Sequence, residues 1–308
     1  MKKLVSVVVP IYDEVDMVNE IHDRIAAVFR GCPDYAYEIV FFDDGSTDGT
    51  RVALEQLCSE HNDTKCVFYS RNYGYLKSTF YCFQQAAGDC AIIVHADLQN
   101  PPELIPQFLE KWEQGAQVVQ GIKTKSRENR LMFFLRSVFY FLMIQLFGVN
   151  IKAHATEFEL LDKTFIAILK KIKVSNPFLR GIISEYASSI DYVYYVQDQR
   201  KKGKSKFNLS RYYDFAMCGI TQFSRKIPRC AIAFSSVALV AVIIEFLVCF
   251  LPAAADSPSI PDSILLRCLF VALCLTIIYI SILFEYVIAA IDNTADKPLI
   301  VEEKRINY

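Results

Sequence analysis

Four clusters of polar residues lie in the first hundred positions, and their residue types suit the binding of a phosphorylated ligand. They read PIYDE at 10–14, DDGSTD at 43–48, SRNYGYLK at 70–77 and HADLQ at 95–99. Each cluster follows a short apolar run, and such runs are typical of buried strands. Because ligands of open α/β sheets bind beyond the carboxyl ends of the strands, we expect the four clusters to form one nucleotide-like site.

The cluster at 95–99 contains the best candidate for holding a divalent cation. Asp97 offers a hard carboxylate oxygen of the kind that binds Mg²⁺ or Mn²⁺ beside a diphosphate, and Gln99 can supply a second oxygen. Two roles are open to His95. Its imidazole can bind Mn²⁺ but is a poor ligand for Mg²⁺. Alternatively, it orients Asp97 without touching the metal, which is the role we favour.

The acidic pair Asp43 and Asp44 has a different chemistry. Their carboxylates can accept hydrogen bonds from the N–H groups of a nucleotide base and from sugar hydroxyls. The alternative is a local role, in which these two residues and Asp48 stabilise a turn and the start of a helix. We predict nucleotide binding for the pair and the local role for Asp48.

Strand and helix signals alternate along the first half of the chain. Short apolar runs predict strands, and segments with apolar residues at helical spacing lie between them. This alternation predicts a doubly wound α/β sheet. The predicted strands are 4–11, 37–42, 65–69, 90–95 and 116–121, and the predicted helices are 15–29, 51–58, 76–87 and 101–114.

Hydrophobic residues make up 53% of the 308-residue chain and are concentrated after position 231. The segments 231–251 and 264–291 are long and apolar enough to form two transmembrane helices. Their connection has no Lys or Arg, whereas basic residues lie on the other side of both segments. The positive-inside rule therefore places the N-terminal domain and both termini in the cytoplasm, with a multi-pass anchor in the inner membrane. A pair of buried core helices is the alternative.

Two further stretches, 131–149 and 209–227, are predicted to be helices at the membrane interface. For the first, a buried core helix is the competing interpretation. The resulting organisation is a domain over 1–230 that includes both interfacial helices, a two-helix membrane anchor over 231–291 and a cytosolic tail over 292–308.

The overall charge and the cysteines limit the classes of partner. The net charge of −1 argues against a nucleic-acid partner. The ten cysteines include no C-x-x-C pair and no Cys/His cluster at zinc spacing. We interpret them as reduced residues of the core and the membrane segments, which fits a domain that faces a reducing cytosol.

Five motifs together resemble a known family. VSVVVPIYDE, FFDDGSTDGT, SRNYGYLKSTFYCFQQAAGD, HADLQNPPELIPQFLEKWEQGAQVVQG and QRKKGKSKFN are similar, in order and spacing, to motifs of the family 2 glycosyltransferases, which have the GT-A fold. The resemblance covers residues 4–230. The most similar branch is the polyprenyl-phosphate sugar transferases, which include dolichyl-phosphate mannose synthase and the bactoprenol glucosyltransferases. The two membrane segments match the anchor of the bactoprenol branch.

The resemblance implies an activity, a cofactor and a site. The activity is inverting transfer of a hexose from a nucleotide diphosphate sugar, such as UDP-glucose or GDP-mannose, to a polyprenyl phosphate such as undecaprenyl phosphate. The lipid-linked product would serve the modification of cell-envelope glycans. A divalent cation, Mg²⁺ or Mn²⁺, is implied, and a homo-tetramer is a further expectation from the bactoprenol branch. The donor would lie beside Pro10, Tyr12, Glu14, Asp43, Asp44 and Asp97.

The acceptor needs cations more than it needs a base. A lipid phosphate, with a second pKa of about 6, is largely ionised near neutral pH, so its oxygen can attack the anomeric carbon once it is bound and oriented. Contact with anionic headgroups is the alternative role for basic residues here. The candidates are Arg127, Arg130, Arg136 and Ser137 at the predicted interfacial helix, and Arg200, Ser205 and Lys206, which resemble the family's R-x-x-G-x-S-K motif.

Several positions depart from the family pattern. His95 stands where the first Asp of D-x-D is usual, and EFELLD places Glu157 and Glu159 where D-F-R-L is usual. Glu157 keeps an acid and is therefore, with Asp97, a catalytic candidate. Glu159 replaces an Arg and inverts a charge, which indicates a different donor sugar or an altered network.

Two other classes of protein compete with this interpretation. A processive polysaccharide synthase would need a Q-x-x-R-W element, and QFSRK at 222–226 is followed by no tryptophan. A scaffold that binds a nucleotide sugar without catalysis is the second alternative. The departures at His95 and Glu159 motivate it.

Overall fold

An eight-stranded mixed sheet forms the centre of the molecule. A computed structural model describes residues 2–125, 152, 155–196, 217–224, 262–294 and 297–308, with isolated helical positions at 226, 229, 233, 236 and 240. The strands are β1 (Lys3–Ile11), β2 (Tyr35–Asp43), β3 (Thr64–Tyr69), β4 (Cys90–Ile93), β5 (Val118–Lys125), β6 (Ala155–Asp162), β7 (Ile190–Val196) and β8 (Glu302–Ile306). They lie in the order β7-β5-β6-β4-β1-β2-β3-β8.

Helices cover both faces of this sheet. They are α1 (Val18–Arg30), α2 (Thr50–Glu60), α3 (Tyr75–Gln85), α4 (Ile105–Glu113), α5 (Lys163–Leu169), α6 (Leu179–Tyr186) and the long α7 (Asp262–Thr294). The five strands and four helices that the apolar pattern predicts are all present. β4 ends at Ile93, two residues before the predicted end, and the polar cluster at 95–99 begins just after it.

β1 shows why the strands read as continuous apolar runs. Val5, Val7 and Val9 are buried with α1, α2 and α4 on one face. Val8 is buried on the opposite face with residues of α3, α5 and α6. A parallel strand that is covered on both sides needs apolar residues at every position rather than at alternate ones. β1 pairs in parallel with both β2 and β4. The doubly wound prediction is therefore confirmed.

The sheet is mixed because β6 and β8 run against their neighbours. β6 is antiparallel to β4 and to β5. β8 is antiparallel to β3, although the sequence analysis assigned residues 292–308 to a separate tail. The structure differs because EEKRI is an edge strand with three exposed charged residues, Glu303, Lys304 and Arg305, and this pattern does not resemble a buried strand.

α7 is an apolar helix with an exposed surface. Its segment Leu275–Thr294 has a mean hydropathy of 1.9, and none of its most apolar stretch is buried. Within the described part of the chain it is the one helix long and apolar enough to cross a membrane. The first predicted span, 231–251, lies almost entirely outside the described residues. So do the interfacial stretch 131–149 and the first half of 209–227.

The carboxyl end of α7 is attached to the sheet domain. The Ser175 N–H donates to Asn293 Oδ1 at 3.1 Å, and the Tyr286 hydroxyl donates to the Ser224 carbonyl at 2.9 Å. Phe223, in the short helix at 217–223, lies directly against Gly181, where an added Cβ would come within 2.5 Å of the Phe223 ring. α7, this short helix and α6 therefore form one packed unit.

Candidate functional site

The loops that follow β1 and β2 are tied to each other. The strands are in register, with Ile11 beside Asp43. Beyond them, the Asp13 N–H donates to Ser46 Oγ at 2.8 Å, and the Thr47 N–H donates to Asp13 Oδ1 at 2.8 Å. Asp13 has a φ of 50°, which non-glycine residues adopt rarely and which clusters at functional loops. Two of the four predicted clusters thus form one continuous surface.

Gly45 allows the third cluster to approach. It has a φ of +75°, and a Cβ at this position would lie 2.6 Å from the backbone carbon of Arg71 and 2.7 Å from the nitrogen of Asn72. The loop after β2 and the loop after β3 therefore touch through backbone atoms. Only glycine permits this contact, which explains the glycine of DDGS.

Asp43 is fully buried and holds the framework. It accepts hydrogen bonds from the Ser46 N–H and from Arg51 Nε, the latter at 3.1 Å. Burial raises the pKa of Asp43, and the bonds from Ser46 and Arg51 oppose that rise. Arg51 also donates to Glu303 of β8 at 2.7 Å. Asp43 therefore helps to join β2, α2 and β8.

Asp44 organises the loop after β3. Its carboxylate accepts the N–H groups of Tyr73 at 2.7 Å and of Gly74 at 3.0 Å. Burial raises the pKa of Asp44 to about 6, and the two backbone donors oppose this shift. Asp43 thus has a partner within its own turn, as the local interpretation predicted, whereas the backbone partners of Asp44 belong to the loop after β3. Their contact with a nucleotide stays a prediction.

The remaining donor candidates line the same surface. Tyr12 is half-buried, and its pKa is raised mainly by the carboxylate of Asp13, with a smaller effect of Asp44. Pro10 is the partly exposed penultimate residue of β1. The Glu14 N–H donates to Thr50 Oγ1 at 3.1 Å. The five donor candidates on the ends of β1 and β2 are therefore neighbours: Pro10, Tyr12, Glu14, Asp43 and Asp44.

The local role predicted for Asp48 is confirmed. Its carboxylate accepts the Thr50 N–H at 3.0 Å and the Val15 N–H at 3.2 Å. These bonds lower the pKa of Asp48, although its partial burial opposes them. Asp48 thus stabilises the start of α2 and fixes the loop that leaves β1.

Asp97 lies in a tight turn after β4. Its Oδ1 accepts the Gln99 N–H at 3.1 Å, which leaves Oδ2 for another partner. Leu98, between them, has a φ of 51°. The charge of Asp97 raises the pKa of the nearby Tyr195 hydroxyl, although burial is the larger cause. A half-buried carboxylate at this position fits a cation that a diphosphate also ligates.

His95 makes two contacts that neither predicted role included, and both roles stay predictions. Its Nε2 lies 3.2 Å from the Glu157 carbonyl oxygen and 3.4 Å from the Tyr75 hydroxyl. Because a carbonyl only accepts, Nε2 carries the proton and cannot ligate a metal in this arrangement. Nδ1 is the nitrogen that keeps a lone pair. His95 therefore links the end of β4 to β6.

Glu157 lies between two groups that sequence reasoning missed. Its carboxylate is 3.5 Å from the guanidinium of Arg180 in α6, with both side chains mostly buried. Burial and the charge of Glu157 hold the pKa of Tyr75 well above its ordinary value, so the hydroxyl stays protonated and hydrogen-bonds to Glu157. Tyr75, Glu157 and Arg180 come from α3, β6 and α6, and no local motif connects them.

Glu159 carries little of the charge that its position suggests. Its side chain is completely buried, and Gln120 Nε2 donates to its Oε1 at 2.7 Å. Burial raises the pKa of Glu159 to about 8, with a smaller contribution from the charge of Glu157. The carboxyl is therefore largely protonated at neutral pH. Burial therefore reduces the negative charge that was expected where the family has an arginine.

A cavity of about 160 Å³ lies beside these residues. Arg180 and Lys152 give it two cationic groups, and Ser184 and Tyr192 add hydroxyls. Because Arg180 of the Glu157–Arg180 pair lines it, the cavity is a second polar region next to that pair. Its lining consists of Gln120, Lys152, Ala155, Arg180, Ile183, Ser184, Ile190 and Tyr192.

The structure brings together the donor and metal candidates but does not describe the basic ones. The loops after β1, β2 and β3 meet, and the turn at Asp97 follows β4, which is the neighbour of β1. A sheet with this strand order and acidic strand ends is the arrangement of the GT-A class of nucleotide-sugar transferases. The acceptor candidates lie outside the described residues: Arg127, Arg130, Arg136, Ser137, Arg200, Ser205 and Lys206.

The chain belongs to glycosyl transferase family 2, whose family model matches residues 6–169. It is 30% identical over 306 residues to an uncharacterized glycosyltransferase, YkcC, of Bacillus subtilis, covering 97% of this chain and 93% of that protein. It is 31% identical over 221 residues to a bactoprenol glucosyl transferase of Shigella phage SfV, covering 71% of this chain and 72% of that protein. The protein is therefore a glycosyltransferase.

Solved structures confirm the GT-A-like fold. Glucosyl-3-phosphoglycerate synthase from Mycobacterium tuberculosis, in complex with phosphoglyceric acid, superposes with a TM-score of 0.53 at 15% identity, covering 71% of this chain and 79% of that one. The same enzyme in complex with Mn²⁺, uridine diphosphate and phosphoglyceric acid gives a TM-score of 0.50 at 18% identity, covering 71% and 76%. At this identity the similarity concerns the fold alone.

Proposed function

We propose that this glycosyltransferase transfers a hexose from a nucleotide diphosphate sugar to a polyprenyl phosphate at the membrane surface, with inversion at the anomeric carbon. The observation that carries the proposal is the attachment of α7 to the acceptor side of the site. α7 packs on the helix at 217–223, and Phe223 packs on α6. α6 carries Arg180, which pairs with Glu157. In a membrane, α7 would therefore hold this side of the site near the lipid surface.

The relatives support a lipid acceptor. Several proteins that are 31% identical to this chain are named bactoprenol glucosyl transferases, from Shigella phages and from Shigella flexneri. The chain spans more than two thirds of their length. A polyprenyl phosphate presents its phosphate at the membrane surface and its chain to the apolar interior. The exposed apolar surface of α7 is suited to that environment.

The sheet supports a two-span anchor with both ends on one side. β7 precedes the membrane segment and β8 follows it, yet both belong to the same sheet. A sheet lies on one side of a membrane, so the chain between Val196 and Glu302 crosses an even number of times. With α7 as one crossing, the apolar segment 231–251 is the other. The basic residues that flank the two segments favour the cytoplasmic side.

The donor would occupy the surface formed by the loops after β1, β2 and β4. Tyr12 and the acidic pair Asp43 and Asp44 would face the base and ribose, with Pro10 and Glu14 beside them. Asp97 and Gln99 would hold a Mg²⁺ or Mn²⁺ ion, which would neutralise the charge of the departing diphosphate. His95 would support this turn through the Glu157 carbonyl rather than through the ion.

The acceptor would enter from the side of β6 and α6. Its phosphate oxygen attacks the anomeric carbon from the face opposite the nucleotide. The new carbon–oxygen bond forms as the bond to the diphosphate breaks, and the electron pair leaves with the nucleotide diphosphate. An ionised phosphate needs no proton removed, so the protein has to bind and orient it. Arg180, held by Glu157, would bind the phosphate together with the predicted basic residues.

The decisive experiment uses purified full-length protein, undecaprenyl phosphate and a panel of radiolabelled UDP- and GDP-sugars. A labelled lipid supports the proposal if mild acid cleaves it and its mass is that of undecaprenyl phosphate plus one hexose. A growing polymer on an added glycan primer would support a processive synthase instead. Donor binding without any product would support a non-catalytic scaffold. The homo-tetramer expected from the bactoprenol branch stays a prediction.

A further inference from the structure

A second cluster of metal-binding groups lies away from the donor surface. His22, His61 and Asp63 each place one nitrogen or oxygen within 4.8 Å of the others. His22 lies on α1, His61 follows the last residue of α2, and Asp63 precedes β3. The two imidazole rings are 4.2 Å apart between centroids. Two nitrogens and one carboxylate oxygen form a ligand set that Zn²⁺ commonly uses.

One ring nitrogen of His22 makes a hydrogen bond, and the other has no partner. Its Nδ1 lies 3.2 Å from Asp23 Oδ1, and since a carboxylate only accepts, Nδ1 carries the proton. Nε2 therefore keeps a lone pair. His22 is only 4% exposed, and Nε2 has no hydrogen-bond partner. Burying an imidazole nitrogen without a partner destabilises the folded state. A bound ion, or a donor from outside the protein, would remove this cost.

The other two groups are held in place from outside the cluster. The Tyr37 hydroxyl hydrogen-bonds to Asp63, and the Ile39 N–H donates to the Asp63 carbonyl at 3.0 Å. The Thr64 N–H donates to the His61 carbonyl at 3.2 Å. The two backbone bonds fix the main chain at Asp63 and His61. The contact of Tyr37 with the Asp63 carboxylate and that of Asp23 with the His22 ring are side-chain contacts of the kind typical of metal-binding carboxylates and histidines. Asp63 is exposed, so an ion can enter from solvent.

The cluster is separate from the site that transfers the sugar. It lies at the first residue of β3, whereas the loop that Asp44 holds follows the last residue of that strand. β3 has six residues, so its two ends are roughly 17 Å apart. None of the donor, acceptor or catalytic candidates belongs to the cluster.

We propose that His22 Nε2, His61 and Asp63 form a Zn²⁺ site with three protein ligands that joins α1 to the turn between α2 and β3. Water completes the coordination. Nitrogen ligands select Zn²⁺ over Mg²⁺, so this site is chemically distinct from an oxygen-lined site at Asp97. Because the bound ion favours the folded state, Zn²⁺ stabilises this edge of the sheet.

The test measures Zn²⁺ binding by untagged full-length protein that has been stripped with a chelator. Zn²⁺ is titrated against a fluorescent chelator in the presence of excess Mg²⁺, which keeps oxygen-lined sites occupied. The expected result is one tightly bound Zn²⁺ per chain and a higher melting temperature. His61→Gln and Asp63→Asn should each weaken binding by at least about tenfold, since loss of even an outer partner has an effect of that size.

Glu60→Gln is the matched control, because it removes an exposed carboxylate one residue before His61 and leaves the cluster intact. It should bind Zn²⁺ like the original protein. Co²⁺ should also give the visible absorption of a low-coordinate site in the original protein and in the control, but not in Asp63→Asn. Equal Zn²⁺ affinity in all of these proteins, or no binding by any of them, overturns the proposal. Either outcome leaves the proposed transfer reaction untouched, since the readout is metal binding and not activity.

Discussion

At the scale of single residues, burial decides which of the acidic groups carry charge. Burial raises the pKa of Glu159 to about 8 and that of Asp44 to about 6, so Glu159 is protonated to a greater extent than Asp44 at neutral pH. This difference was not visible in the sequence, where both are acidic residues near motifs. The same holds for the Tyr75 and Arg180 contacts with Glu157, which depend on three elements meeting.

The first prediction concerns Glu159→Gln and the pH dependence of stability. Between pH 4.5 and about 8 the folded protein keeps a proton on Glu159 that the unfolded chain has released. Stability therefore falls as pH rises through this interval, by up to about 1.4 kcal/mol per pH unit for this group. Glutamine removes the effect and still accepts from Gln120. The free energy of unfolding of the variant, relative to that of the original protein, should therefore increase as the pH is raised from 5 to 8. Denaturant unfolding at each pH measures this difference.

The comparison contains its own control, because Asp44 titrates in both proteins and cancels in the difference. A stability difference that is the same at pH 5 and pH 8 would show that Glu159 is ionised in the folded state.

The second prediction concerns Asp97→Ala. If Asp97 holds the cation beside the diphosphate, its removal should lower transfer by about 100-fold or more and abolish stimulation by Mn²⁺ or Mg²⁺. Initial rates across a metal titration measure both effects. Asp34→Ala, at an exposed turn before β2, is the control and should behave like the original protein. Retained stimulation by metal would remove Asp97 from the cation site.

At the scale of elements, the donor surface depends on backbone contacts between loops. The residues of that surface could be predicted, because each lies directly after an apolar run, and parallel strands bring such positions to one edge. The contacts that hold the loops could not be predicted, because Gly45 meets the Arg71–Asn72 backbone across two strands. β8 was missed for a related reason, since an edge strand needs no apolar pattern.

The third prediction tests this loop contact with Gly45→Ala. In the variant, alanine has to adopt a left-handed backbone conformation, which costs roughly 1–2 kcal/mol. Its Cβ also clashes with backbone atoms of Arg71 and Asn72, which can move only if the loop shifts. It should unfold at a lower temperature and show a raised KM for the donor. Gly115→Ala is the matched control. Gly115 has a φ of +99° but nothing within 4 Å, so it experiences the first cost alone. Equal losses in the two variants would show that the loops do not need this approach.

At the scale of the whole molecule, the sheet and the apolar helix α7 are connected by packing and by the order of the chain. The sequence predicted a membrane anchor from composition and charge alone. The packing of α7 on residues 217–224 and the return of the chain to the sheet as β8 depend on contacts between residues more than 60 positions apart. The proposed Zn²⁺ cluster shows the same limit, since His22 lies on α1, His61 follows α2, and the two share no motif.

The fourth prediction concerns topology. Because β1 and β8 belong to one sheet, reporters fused to the two ends of the chain should both be active on the cytoplasmic side. The measurement uses paired fusions, one reporter that works only in the cytoplasm and one that works only outside it, in cells. A third fusion, at residue 256 between the two apolar segments, should give the opposite pattern. Opposite signals from the two ends would contradict a shared sheet and an even number of crossings.

The position of β8 near the end of the chain also determines when the sheet can be completed during synthesis. β3 leaves the ribosome early, but the strand that pairs with its outer edge is synthesised only after α7. During that interval the edge of β3 presents unpaired backbone groups, which neighbouring chains can pair with and aggregate upon. The chain therefore completes α7 before it can complete the sheet. A chain that has not yet reached β8 keeps this edge open, and cellular proteases and chaperones can recognise an unpaired strand edge as a sign of incomplete assembly.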